Sequence, residues 1–78
     1  MKTLREEAIA QMVLNRLRED QRTCGQTIDV TVVDGDIFLV GYCDTEEQRL
    51  AAEMLARGAY GGKSVVDRIR VRRIVQSI

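Results

Sequence analysis

The first part of the chain has the hydrophobic spacing of an amphipathic helix. Its apolar residues recur every three or four positions, which places them along one side of a helix. They are Leu4, Ala8, Ile9, Met12, Val13 and Leu17. Thr3 and Glu6 fit a capping box, in which each side chain accepts a hydrogen bond from a free backbone N–H, and Gly25 marks the end of the segment. The pattern predicts a helix over residues 3–21.

From residue 28 the hydrophobic period changes to two, as in β-strands. Two alternating runs flank Asp34-Gly35, a dipeptide that favours the two-residue turn of a hairpin because both residues tolerate positive φ. Such a turn pairs Val33 with Asp36 and thereby fixes which side chains share a face. One face is expected to carry Ile28, Val30, Val32, Ile37 and Leu39, and the other Asp29, Thr31, Phe38, Val40 and Tyr42.

A second helix and a last strand complete the pattern. Thr45 and Gln48 form another capping box, and Gly58 is expected to end this helix as a left-handed cap. The inner stripe of the helix is predicted to be Leu50, Ala51, Met54 and Leu55. Alternation resumes from Val65 to Val75, which predicts a third strand.

The order α-β-β-α-β predicts an α+β fold: a mixed three-stranded sheet with two helices packed on one face, in a single domain over residues 1–78. No helix is then left to cover the opposite face. The predicted core consists of Leu4, Ile9, Met12, Val13, Leu17, Ile28, Val30, Val32, Ile37, Leu39, Leu50, Met54, Leu55, Ile69 and Val71.

Composition excludes several classes of site. The sequence has no histidine, so it cannot form a Ser-His-Asp or Cys-His catalytic site or a histidine-ligated metal centre. Twelve basic and twelve acidic residues give zero net charge, which argues against a general nucleic-acid binder. Cys24 and Cys43 are too few for a zinc site; they could form one disulfide, but nothing in their spacing requires it, and reduced thiols are expected. We therefore predict no catalytic residues, no cofactor and no metal.

Two motifs suggest nucleotide or RNA binding at first sight. Residues 58–64 read GAYGGKS, yet a phosphate-binding loop follows a strand and precedes a helix, and the order here is reversed. The element order hints at KH-like RNA binding, but the GXXG loop between helices and a pair of stacking aromatic residues are missing from the sequence. Both interpretations are rejected.

The ordered set of motifs resembles the BON domain family. Residues 28–41, IDVTVVDGDIFLVG, are similar to its central hairpin, written roughly V-x-V-x-[DN]-G-x-V-x-L-x-G. Residues 45–59 match its second helix, and residues 61–71 its closing G-V-x-x-V-x-N-x-[IL]-x-V. Gly62 stands where the family usually has valine. Asp67 stands where it usually has asparagine, and is expected to keep the local hydrogen bond to the backbone.

The resemblance, over residues 3–73, implies a small non-enzymatic binding module. Such modules occur singly or in tandem in bacterial osmotic-stress, secretion-associated and channel-like proteins, are generally proposed to bind phospholipid membranes and are usually periplasmic. The family has no accepted catalytic residues. The N-terminus lacks the apolar core of a signal peptide, so a cytoplasmic location is expected if the chain is complete.

The candidate binding surface is the uncovered side of the sheet. Its predicted residues are Phe38, Val40, Tyr42, Arg68, Arg70 and Arg72. The arginines suit anionic phospholipid headgroups, or they form a solvated strand edge that discourages aggregation. The apolar residues suit a partner protein domain or a homodimer through this face, or they are a tolerated apolar patch. Docking to membranes or envelope proteins is the leading hypothesis, and an intracellular protein-interaction or homodimerisation module is the alternative.

Overall fold

The computed structural model describes residues 4–59 and 64–72. The elements are helix α1 (Leu4–Glu19), strands β1 (Thr27–Val33) and β2 (Asp36–Cys43), helix α2 (Glu46–Ala59) and strand β3 (Val65–Val71). The predicted order and the α+β class are confirmed. Thr3 of the first capping box and residues 73–75 of the predicted last strand lie outside the described residues.

The hairpin forms with the predicted register. Val33 pairs with Asp36 and Val32 with Ile37 in an antiparallel ladder. Asp34 and Gly35 have φ of 51° and 85°, the positive values that a type I′ turn requires. Strand β2 is the middle strand, and β3 joins it in parallel after the crossover through α2.

Both helices contribute to one core on the same side of the sheet. Helix α1 packs against β1 and α2, while α2 packs against β2 and β3. The buried cluster consists of Ile9, Val13, Leu17, Ile28, Val32, Ile37, Leu39, Cys43, Ala52, Ala56 and Ile69. Val30, Leu55 and Val71 are partly buried against it, as is the edge of α1 at Ala10.

Three predicted core residues are exposed instead. Leu4 is 85% exposed, Met54 68% and Leu50 46%. Burial in α1 begins at Ile9, so Leu4 lies in a first turn that precedes the packed part of the helix. The buried face of α2 is lined by small side chains, Ala51, Ala52 and Ala56, which allow a helix to approach the sheet closely. This alanine face turns Leu50 and Met54 toward solvent.

The helix boundaries are set by side-chain hydrogen bonds. The second capping box is confirmed: the Gln48 amide donates to Thr45 Oγ1 at 3.2 Å, and the Thr45 amide donates to Gln48 Oε1 at 3.0 Å. The prediction that Gly58 ends α2 in a left-handed conformation is wrong, because Gly58 lies inside the helix and lacks positive φ. Helix α1 ends at Glu19, two residues before the predicted end.

The end of α1 is held by a buried threonine and an ion pair. Thr23 Oγ1 donates to the carbonyl oxygen of Leu17 at 2.5 Å and so satisfies one of the free carbonyl groups of the last turn. The Arg22 guanidinium hydrogen-bonds the Asp20 carboxylate, and the Arg22 amide does so too. These bonds lower the pKa of Asp20 to about 2.

Both cysteines are free thiols, as predicted. Cys24 is exposed, whereas Cys43 is buried at the end of β2 and its pKa is raised because burial disfavours the thiolate. Within the described segments, neither helix combines the length and the apolar character that crossing a bilayer would require.

Candidate functional site

The second face of the sheet carries no helix in the described part of the chain, and we call it the uncovered face. Its side chains alternate with those of the core face on each strand. They are Thr27, Asp29, Thr31 and Val33 on β1, Asp36, Phe38, Val40 and Tyr42 on β2, and Val66, Arg68 and Arg70 on β3, with Arg72 directly after β3. All six residues predicted for the binding surface therefore lie on this face.

The register sets arginines directly beside the apolar residues of β2. Val40 is the Cα partner of Arg68, and Tyr42 is the Cα partner of Arg70. Adjacent strands lie about 4.8 Å apart, so the row of apolar side chains on β2 and the row of arginines on β3 form one continuous surface. The nearest acid on this face is Asp29, which lies on the far side of Val40.

Two exposed apolar residues of the uncovered face lie toward the carboxyl end of β2. Val40 is 49% exposed and Tyr42 47% exposed. Phe38 is partly buried and contributes less exposed surface than Val40 or Tyr42. Val40 and Tyr42 therefore lie next to the arginines, whereas a third exposed apolar residue of this face, Val33, lies beside the hairpin turn and is 43% exposed.

The three arginines of this face, which we call the basic strip, are exposed. No carboxylate in residues 4–59 or 64–72 pairs with Arg68, Arg70 or Arg72. Elsewhere, Arg22 and Arg57 each form an ion pair with a neighbouring acid. The basic strip is thus a local positive surface on a chain of zero net charge.

Arg72 extends the sheet and covers the tyrosine. Its amide donates to the carbonyl oxygen of Cys43 at 2.7 Å, so the ladder between β2 and β3 continues past Val71. Its guanidinium carbon lies 5.5 Å from the centre of the Tyr42 ring, a cation–π contact. The contact holds a positive charge over an aromatic ring that is half exposed.

Gly41 shapes the strand end that presents Val40 and Tyr42. Its φ is 145°, and a Cβ atom at this position would lie 2.0 Å from the carbonyl oxygen of Thr27. Only glycine allows β1 to approach β2 this closely here. The alternating pattern gave no sign of this contact, because Gly41 simply takes a core-face position in the period of two.

A shallow depression joins the two rows. It has a volume of about 90 Å³ and is lined by Val40, Gly41, Tyr42, Arg68 and Arg70. Sites that enclose small molecules usually have about 300–1,000 Å³. The uncovered face therefore suits an extended surface as its partner rather than an enclosed ligand.

An ion pair on the opposite side of β3 fixes this strand under α2. Asp67 Oδ2 lies 2.7 Å from Arg49 Nη1, and Asp67 Oδ1 accepts a hydrogen bond from the Ile69 amide at 2.9 Å. The second bond confirms the predicted backbone contact of Asp67. Arg49 also pairs with Glu46, which raises the pKa of Arg49 and lowers that of Glu46.

Sequence reasoning missed the pairing of Arg49 with Asp67. The two residues are 18 positions apart and belong to different elements, so no helical or strand spacing relates them. Across the described ranges, the structure contains no group of three His, Cys, Asp or Glu side chains arranged to hold a metal ion.

Comparison with known proteins gives one family. The sequence model of the BON domain matches residues 5–73, which is most of the chain. The search of curated proteins gives no match.

Proposed function

Because this chain belongs to the BON domain family, whose members are non-catalytic binding modules, we propose that its uncovered face binds membranes rich in anionic phospholipid. The observation that carries the proposal is the basic strip of Arg68, Arg70 and Arg72, which is exposed, pairs with no carboxylate of the described residues and lies beside the exposed Val40 and Tyr42.

Arginine is well suited to phosphate groups. Its planar guanidinium carries five N–H donors and binds two phosphate oxygens at once. Arg68 and Arg70 are two residues apart on one strand, so their Cα atoms are about 6.6 Å apart and both side chains leave the same face. Lipids diffuse within a bilayer and can adjust to this spacing, which makes a fixed pocket unnecessary.

Tyr42 and Val40 supply the apolar part of the contact. A tyrosine ring is apolar at its body and polar at its hydroxyl, a combination that favours the boundary between headgroups and acyl chains. Both side chains are about half exposed, so they reach the bilayer without any unfolding of the sheet. The guanidinium of Arg72 over the ring keeps the positive charge at the level of the phosphates.

The expected affinity of one domain is low. Each basic residue near an anionic membrane contributes about 1 kcal/mol, so the basic strip contributes about 3 kcal/mol. This attraction acts through solvent and falls as salt shortens the Debye length from about 30 Å at 0.01 M to about 3 Å at 1 M. Binding should therefore be weak, and it should depend strongly on salt and on lipid charge.

Vesicle sedimentation tests the proposal. The chain is mixed with vesicles of phosphatidylserine and phosphatidylcholine, or of phosphatidylcholine alone, at low and high salt. We expect sedimentation with the anionic vesicles at low salt only. Arg70→Glu removes one positive charge and adds a negative one, so the partition coefficient should fall about tenfold or more.

Arg16→Glu is the matched control. Arg16 is exposed on α1, on the helical side of the sheet, and the substitution changes the net charge by the same amount. It should leave the partition coefficient nearly unchanged. Equal losses for both variants would mean that only total charge matters. Equal binding to both kinds of vesicle, or none to either, would contradict the proposal.

A further inference from the structure

The free edge of β1 is a second exposed feature of the sheet, separate from the uncovered face. Among the strands of residues 4–59 and 64–72, β1 has one neighbour, β2. In an antiparallel pair, alternate residues bond to the neighbour and the others direct N–H and C=O away from it. A two-residue turn makes Val33–Asp36 a bonded pair, so the outward groups of β1 belong to Ile28, Val30 and Val32.

A bond on the other side of β2 supports this assignment. The amide of Ile37 donates to the carbonyl oxygen of Ser64 at 2.9 Å, on the β3 side. It therefore turns away from its partner Val32. Val32, and with it Val30 and Ile28, must therefore direct their backbone N–H and C=O groups to the free edge of β1. This edge offers three donors and three acceptors in a row.

The two edges of the sheet differ in their protection. Natural edge strands usually carry charged side chains or proline, which discourage pairing with another chain. Strand β3 carries Asp67, Arg68 and Arg70, whereas β1 reads TIDVTVV with Asp29 as its single charge. The β1 edge is long, rich in β-branched residues and nearly free of such protection.

A groove runs between this edge and α1. One part, of about 290 Å³, is lined by Ala10, Leu14, Val30 and Val32 with polar residues of α1. The adjoining part, of about 220 Å³, also includes Leu14 and continues toward Ile28. The groove leaves the outer flank of α1 open beside the free backbone of β1.

The flank of α1 along this groove carries an acidic residue at one end and a basic residue at the other. Spacings of four, three and four residues place one stripe of side chains above the edge. The stripe consists of Glu7, Gln11, Leu14 and Arg18. Glu7 and Arg18 make no ion pair with any described residue, and they are about 16 Å apart along the helix, too far to pair with each other.

We propose that two copies of this chain pair antiparallel through their β1 edges, about a two-fold axis at Val30. Val30 then faces Val30 of the second copy, and Ile28 faces Val32. Each opposed pair exchanges two backbone hydrogen bonds, about six in all. The two three-stranded sheets become one continuous sheet.

The charges of α1 select a second copy as the occupant. An antiparallel arrangement sets Glu7 against Arg18 of the other copy, and it does so twice because the contact is symmetric. Gln11 faces Leu14 in the same way. A parallel pairing of the same two edges would require a two-fold axis along the strands, which would place the two α1 helices on opposite faces of the joined sheet and remove this contact. The charge pattern of α1 is thus complementary to itself in the antiparallel arrangement.

A charge swap measured by sedimentation velocity tests the dimer. We expect the unmodified chain to dimerise with a Kd below about 1 mM. Glu7→Arg and Arg18→Glu should each raise the Kd about tenfold, because each replaces two attractions by two repulsions. The double variant E7R/R18E should restore the original Kd. Arg16→Glu and Glu19→Arg, on α1 but outside the groove, are the matched controls.

Hydrogen exchange locates the interface independently. The amides of Ile28, Val30 and Val32 should exchange fast in the monomer and slowly in the dimer, while Tyr42 and Arg70 should be unaffected. A chain that stays monomeric at about 1 mM overturns the proposal. A dimer whose Kd is the same for the charge-swap variants also overturns it. So does a dimer in which the amides newly protected from hydrogen exchange lie on the uncovered face. Circular dichroism of each variant verifies that it folds.

Discussion

At the scale of single residues, Gly41 is the position that tolerates least change. A methyl group there would meet the backbone of Thr27, which cannot move without opening the hairpin. The positive φ adds strain for any other residue. Because the same strand end presents Val40 and Tyr42, this backbone contact supports both the fold and the candidate surface.

Gly41→Ala should lower the free energy of unfolding by about 2–4 kcal/mol. The measurement is urea denaturation followed by circular dichroism. Gly58→Ala is the control, because a Cβ atom at Gly58 meets nothing within 4 Å and the residue lies inside α2. It should raise stability by about 0.5–1 kcal/mol. A destabilised Gly58→Ala would mean that Gly58 does cap the helix, and a neutral Gly41→Ala would refute the close contact.

At the scale of elements, local signals predicted what local physics determines. The Asp34-Gly35 turn fixes the hairpin register by itself, and the structure has that register. The buried face of α2 could not be predicted so directly. Leu50 and Met54 are more hydrophobic than Ala52 and Ala56, yet the close packing of the helix on the sheet selects the small side chains.

The pairing of Arg49 with Asp67 is a feature of the same scale and joins α2 to β3. Asp67→Ala removes the ion pair and leaves the Ile69 amide without its acceptor, so it should destabilise the fold by about 2–3 kcal/mol. Asp67→Asn keeps an acceptor for that amide and should lower the free energy of unfolding by less than Asp67→Ala does. In a double-mutant cycle with Arg49→Ala, the coupling should be about 1 kcal/mol.

The surface pair of Arg57 and Glu53 serves as the control for that cycle. Both residues lie on α2, and the Arg57 side chain is largely exposed. Arg57→Ala should change stability by less than about 0.5–1 kcal/mol. If the effects of Arg49→Ala and Asp67→Ala simply added, the ion pair would not be what holds β3 under α2.

At the scale of the whole molecule, the element order already implied one bare face, because two helices on a three-stranded sheet share a single core. The element order could not predict which charged side chains form ion pairs. Arg49 and Arg68 look alike in the sequence, but Arg49 is paired between α2 and β3, whereas Arg68 on the uncovered face pairs with no acid in the part of the chain that the structure describes. Only the packing of distant elements separates the two kinds of arginine.

The two proposals reinforce each other at this scale. Pairing through β1 keeps the helices of both copies on one side and the uncovered faces on the other. The basic strips of the two copies would then face the same membrane, and binding of one strip would raise the effective concentration of lipid near the second. A dimer should therefore sediment with anionic vesicles more strongly than the Glu7→Arg variant does.

Whether the uncovered face binds an anionic membrane can be measured residue by residue in an amide NMR titration with vesicles. With phosphatidylserine-containing vesicles, signals of residues 40–42 and 68–72 should broaden first, while those of the exposed face of α1, such as Arg16, should persist. Phosphatidylcholine vesicles should leave the spectrum unchanged. Broadening that begins on the helices, or that is the same with both lipids, would contradict the binding of anionic membranes through the uncovered face.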